Sequence, residues 1–106
     1  MSEGQLRLLG LGVRAGTVVA GTNGVRAGLQ RGEVALVVLA EDRSSRTREK
    51  VERLAAGKGI PCLHGPVAIE LGRRLGMSSV QVVGVRDAHL AAGIIGEAEP
   101  VEARRT

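Results

Sequence analysis

Residues 34–40 read Val-Ala-Leu-Val-Val-Leu-Ala, seven apolar residues without a break. The run is far shorter than the ~20 residues of a membrane span. It also lacks the apolar/polar alternation of a sheet with one wet face. It reads as a strand buried on both faces, the mark of a central strand in a layered α/β domain. The rest of the chain must then supply two covers, one for each face. The sequence contains no Phe, Tyr or Trp, so both covers must be built from Val, Leu, Ile, Ala and Met.

The covers can be found on either side of the run. Leu6, Leu9 and Val13, with Leu8 and Leu11 nearby, fit a helical stripe that Gly16 stops. Residues 17–20 (TVVA) make a short strand. Thr22 or Asn23 is expected to cap a second helix, with Val25 and Leu29 facing in and Gly32 ending it. After the central strand, Ser44, Ser45 or Thr47 caps a helix whose inner face carries Val51, Leu54 and Ala55. Residues 60–64 (IPCLH) form a strand, and Pro66 starts a helix with Val67, Ile69, Leu71 and Leu75 at mixed helical spacing. Residues 80–85 (VQVVGV) form a strand, and 87–95 a last helix capped by Asp87. Helix and strand alternate from end to end, which predicts an α/β fold, a three-layer α/β/α sandwich. The length suits one domain, expected over residues 1–96, with a polar tail over 97–106 that should fray.

Fifteen Lys and Arg stand against eleven Asp and Glu, and thirteen of the cations are Arg. Arginine binds phosphate as a planar fork, so the excess points to a polyanionic partner, most often nucleic acid. A GC-rich genome also yields a chain rich in Arg, Ala and Gly. The lack of aromatic rings excludes the base-stacking platforms of single-strand binders. A lone cysteine, Cys62, forms no internal disulfide and suggests a reducing compartment. With no spanning run and no basic segment leading a long apolar stretch, a cytoplasmic, non-membrane location is expected.

Catalytic material is sparse. His64 and His89 are isolated, and Cys62 lies in an apolar strand where an inert thiol is the default. No Cys/His spacing suggests a metal, and no cofactor is implied. Glu41 and Asp42 end the central strand and read as caps of the following turn. Residues 10–16 (GLGVRAG) imitate a dinucleotide fingerprint, but no strand precedes them. The chain is therefore expected not to be an enzyme. What remains is Gly21-Thr22-Asn23-Gly24 at a helix start, where free N–H groups and the helix dipole favour an anion. Asn23 offers a donor and an acceptor to a base edge. Arg26 follows one turn on, and Arg14 and Arg31 are expected nearby.

These residues carry a resemblance. The segment from Ala20 to Ser44, then Lys58 to Met77, resembles the kink-turn-binding ribosomal protein superfamily. That group includes archaeal and eukaryotic large-subunit proteins, core proteins of guide ribonucleoproteins, and short bacterial homologues of the YlxQ and YbxF type. The likeness covers roughly residues 5–95: Ala-Gly after the first helix, Gly-Thr-Asn at the second, Leu-Ala-Glu-Asp on the central strand, Ile-Pro, then Glu-Leu-Gly. It implies a mixed four-stranded sheet. It also implies a monomeric, non-enzymatic RNA-binding protein whose partner is structured RNA, a kink-turn in rRNA or a regulatory RNA, with association to the ribosome.

Two surfaces would read the RNA. At the helix start Gly21, Thr22 and Asn23 match the family, while Gly24 stands at its Glu position and Ala27 at its Lys position. Arg26 is one residue from that Lys. A positive φ at Gly24 would explain a demand for glycine there. The second surface is the loop after Glu-Leu-Gly, Gly76 followed by Met77, Ser78, Ser79 and Val80, expected to cover a flipped nucleotide. A basic residue common in the family is Ala68 here. Two further readings stay open beside RNA recognition: a protein-interaction module, and the substrate-binding domain of an RNA-modifying enzyme.

Overall fold

The computed structural model describes residues 1–97. Its elements are α1 (Glu3–Ala15), β1 (Val18–Ala20), α2 (Thr22–Gln30), β2 (Leu36–Leu39), α3 (Ser45–Thr47) running through a π-helical turn (Arg48–Glu52) into α4 (Arg53–Gly57), β3 (Cys62–His64), α5 (Ala68–Arg74), β4 (Val82–Val85) and α6 (Ala88–Glu97). The sheet has the order β1-β4-β2-β3. β2 pairs with β3 in parallel and with β4 antiparallel, and β4 pairs antiparallel with β1. The sheet is mixed, as the resemblance implies. α6 ends at Glu97, one residue past the expected domain boundary, and the rest of the expected tail lies outside the described residues.

The central run does what its composition dictates. Leu36, Val37, Val38 and Leu39 are all fully buried. Alternate residues point to opposite faces, so Leu36 and Val38 join one core and Val37 and Leu39 the other. The first core holds Leu6 and Leu9 of α1, Leu71 of α5 and Ile94 of α6. The second holds Val25 and Leu29 of α2 with Val51 and Ala55 of the broken helix. Helices therefore cover both faces, and the α/β/α sandwich is complete. The ladder extends beyond the strand ends: Ala35 N donates to Val85 O, and Ala40 N to Gln81 O.

Local signals acted mostly as read. Gly16 ends α1 in the left-handed region at φ 77°. Ser44 is the cap of α3, accepting from Thr47 N at 3.2 Å. Asp87 caps α6 through His89 N and Leu90 N. One signal escaped notice: Ser2 and Gln5 form a reciprocal capping box on α1. The Gln5 side-chain N–H then donates to Ile94 O, tying α1 to α6 from a buried position.

Two expectations need correction. Neither Thr22 nor Asn23 caps α2; the cap position is Gly21, at φ 95° and ψ 153°, a conformation open essentially to glycine alone. Pro66 does not start a helix either. α5 begins at Ala68, two residues later than Pro66, and its buried stripe is Ala68, Leu71 and Leu75. Ile69 is left 68% exposed and Val67 36%. Among the described residues no helix is long and apolar enough to cross a membrane.

Candidate nucleic-acid interface

Because β4 runs against the other three strands, the loops after β1, β2 and β3 and the loop before β4 meet at one end of the sheet. Open α/β sheets bind ligands at the carboxyl ends of their strands. Gly21, Thr22, Asn23 and Gly24 lie in the first of these loops and the helix start it leads into, and Met77, Ser78, Ser79 and Val80 in the last.

A hydrogen-bond network ties the loops together. The Gln81 Oε1 atom accepts from Ser44 N at 2.7 Å and from the Thr47 hydroxyl at 3.1 Å. With its proton so used, Thr47 Oγ1 accepts from the Thr22 hydroxyl at 3.0 Å and from Ser44 Oγ at 3.3 Å. A backbone N–H only donates, so the Gln81 oxygen must face Ser44 and its NH2 group points away. Gly21 N donates to Val82 O, fastening the start of α2 to the head of β4. Sequence reasoning missed Thr47 and Gln81 in this role. A buried threonine, 2% exposed, seen only as a possible helix cap, gave little warning.

The helix start is open. α2 has no side-chain cap and no acid in its first turn. Asn23 and Arg26 are exposed, three residues apart on one face, and neither side chain has a partner among the described residues. Arg14 and Arg31 are not part of this cluster. Arg14 lies on α1, across the sheet, and Arg31 is at the far end of α2, paired with Glu33 at 3.2 Å. Arg46, exposed beside Thr47, is a cation the sequence reading did not select.

Glycine at position 24 has a different cause from the one anticipated. Its φ is negative. A Cβ there would lie 2.8 Å from Val19 Cγ2, and one on Gly28 would lie 2.8 Å from Val34 Cγ2. These two glycines let α2 press onto the sheet; they face inward rather than toward a ligand.

The second loop is held by a similar device. A Cβ on Gly72 would meet Ser79 Cα and N at 2.8 Å, so glycine lets the loop cross α5 in backbone contact. Val80 N donates to Ala68 O. Ser78 and Ser79 are exposed and Met77 is half-buried against the core. Val80 is 7% exposed and packs in the core, so its side chain is not free to cover a nucleotide. The apolar side chains that do face water at this end are Val67 and Ile69.

The carboxylates serve the scaffold. Asp42 does not cap its own turn: its Oδ1 accepts from Ala68 N at 2.7 Å and caps α5 from across the site. Glu52 takes two hydrogen bonds from Arg43, at 3.0 Å each, which hold its carboxyl below the ordinary carboxylate range. Arg43 also reaches His64 Nε2 at 3.4 Å, so this histidine extends a structural ion pair. Burial raises the Cys62 thiol above its usual value, the direction that keeps it protonated and inert.

The chain matches the sequence family described as Ribosomal protein L7Ae/L30e/S12e/Gadd45 over residues 6–92. Among solved structures it is similar to a protein of unknown function from Bacillus halodurans, with 30% identity and a TM-score of 0.83 over 90% of this chain and 96% of that one. It is also similar to a 15.5kD RNA-binding protein from Giardia lamblia, with 25% identity and a TM-score of 0.72 over 92% of this chain and 84% of that one. A search of curated proteins returned no match. The sequence match runs from the first helix into the last, and the fold is shared along nearly the whole of both neighbours; the chain belongs to the ribosomal protein L7Ae/L30e/S12e/Gadd45 family.

Proposed function

We propose that this is a non-enzymatic RNA-binding protein that recognises a kink-turn or a similarly kinked RNA. The contact surface would be the carboxyl end of the sheet, with Gly21, Thr22, Asn23 and Arg26 on one side and Met77, Ser78 and Ser79 on the other. The observation that carries the reading is the unpartnered Asn23 amide and Arg26 guanidinium, among the described residues, beside an uncapped, acid-free helix start. An amide matches a base edge and an arginine matches phosphate. The Thr22–Thr47–Gln81–Ser44 network supports it further, because a preorganised site loses less entropy on binding. Family membership and the similarity to an RNA-binding protein point the same way.

The test is binding to a kink-turn oligonucleotide and to a straight duplex of equal length, followed by fluorescence anisotropy over a range of salt. Tighter binding to the kinked RNA, falling as salt rises, is the expected result. Equal binding to both RNAs, or none to either, would defeat the proposal.

One observation favours a second reading, a protein-interaction module. Ile69 and Val67 leave an apolar patch at the same end of the sheet, and such patches mark protein contacts. Loss of a partner protein on Ile69→Ser, with no RNA bound by the parent, would favour it.

A further inference from the structure

A second basic surface lies on the other face of the sheet, between α1 and α5. A cleft of about 310 Å³ is lined there by Arg14, Arg73 and Arg74, and it ends at Gly76. A neighbouring cleft of about 500 Å³ continues along α1 past Arg7 and Leu11, sharing Gly10, Arg14 and Arg74 with the first. Gly10 lies between the two clefts, and a Cβ there would sit 4.0 Å from Arg74 O, in ordinary contact.

We propose that this cleft is a second RNA contact, a track for the phosphate backbone of a stem flanking the motif held at the helix start. The inference rests on the RNA-binding reading above and extends its footprint. Two carboxylates face the track, and both are engaged. Glu3 forms a two-bond fork with Arg74, at 2.6 Å for each bond, and Glu70 holds Arg73 at 2.6–3.0 Å. A guanidinium has five N–H donors, so the Glu3 fork leaves Arg74 three for a ligand. Its orientation is fixed by the same fork. Arg7 and Arg14 are exposed along α1; Arg7 feels the charge of Glu3 one turn before it, and Arg14 has no partner among the described residues. They are two turns apart on α1, about 10 Å along the axis.

Phosphate is favoured over an acidic protein for two reasons. The cleft runs out at Gly76, where the loop carrying Met77, Ser78 and Ser79 begins, so the track adjoins one of the two proposed contact loops. Protein interfaces also need an apolar centre, and among the described residues along this track the one large apolar side chain facing water is Leu11, 49% exposed.

The experiment uses the full chain, a kink-turn RNA with minimal stems, and the same RNA with both stems lengthened. Three proteins are compared: parent, the double variant Arg7→Gln/Arg14→Gln, and Asn23→Ala. Neither arginine holds the fold together, and a thermal melt of the double variant checks this. On the long-stemmed RNA the double variant should show a log K against log salt slope shallower by about 1.4–1.8, two phosphate contacts at ~0.7–0.9 each. On the minimal RNA its binding should equal the parent's. Asn23→Ala should weaken both RNAs alike. An unchanged slope on the long-stemmed RNA overturns the track, even where Asn23→Ala upholds the helix-start site. Loss of poly-glutamate binding by the double variant, with RNA slopes intact, would assign the cleft to acidic protein instead. A parent that binds no RNA defeats both proposals together.

Discussion

Replacing Gly24 by Glu installs the acidic side chain that the family motif carries, and its outcome turns on Val19. A Cβ at position 24 would stand 2.8 Å from Val19 Cγ2, where nonbonded carbons prefer ~3.5–4.0 Å. Val19 has little room to yield. A Cβ built on Gly84 would meet its other methyl, Cγ1, at 3.3 Å, so the valine is wedged between α2 and β4. A β-branched side chain also has few rotamers to retreat into. Overpacking of this kind costs about 1–3 kcal/mol. Two effects oppose it: relief of glycine's helix penalty, at most ~1 kcal/mol, and an acid in the first turn of a helix, ~0.3–1 kcal/mol. The steric term is the larger, so Gly24→Glu should destabilise the protein by about 1 kcal/mol.

The pair tells more than the single variant. Val19→Ala opens the space at the loss of two partly buried methyl groups, about 1–1.5 kcal/mol. With the wedge gone, the introduced glutamate keeps its favourable terms and loses its clash. A urea-denaturation cycle over parent, both single variants and the double variant should give a coupling of about 1–2 kcal/mol in favour of the pair. Additive effects, or a Gly24→Glu protein as stable as the parent, would refute the wedge argument. If the introduced carboxylate then accepts from guanine N–H groups, the folded double variant should also prefer kinked RNA over straight duplex more strongly than the parent does.

Asn23→Ala should weaken kink-turn binding by about 1–3 kcal/mol and leave the urea midpoint unchanged, because Gly21, not Asn23, occupies the cap; lost stability with intact binding would reverse that assignment. Gly72→Ala pushes a methyl into the backbone of Ser78 and Ser79 and should cost about 1–3 kcal/mol while also weakening RNA binding, with binding measured under conditions where the variant remains folded; full affinity there would remove the 76–79 loop from the site. Glu52 titrates below its ordinary value when folded because Arg43 hydrogen-bonds its charged form, so its contribution is complete above the ordinary carboxylate range and is lost as pH falls through the lowered native value. Urea midpoints from about pH 7 to pH 3 should fall less steeply in Glu52→Gln than in the parent, and superimposable curves would contradict the linkage.

The layers were legible because one seven-residue run has no polar face, and two cores on opposite sides are the only way to satisfy it. Capping signals were legible where the signal is a single side chain beside its own helix, as at Ser44 and Asp87. Long-range caps were not. Asp42 serves α5 across 26 positions of sequence, and nothing local distinguishes it from a carboxylate that caps its own turn. The start of α5 was misread for a related reason: with its first N–H satisfied by Asp42 from elsewhere, the helix starts at Ala68 rather than at Pro66.

At the candidate site the motif residues were legible, but the purpose of the glycines was not. Gly21 is required by its backbone angles, and Gly24, Gly28 and Gly72 by what lies against them. A sequence shows that a side chain is missing; it does not show which side of the helix needed the space. Here the space at position 24 is filled by Val19 from within the fold. Glycine at position 24 is therefore coupled to a packing choice on β1, and a side chain enters there without a clash only when Val19, a residue on the sheet, changes with it.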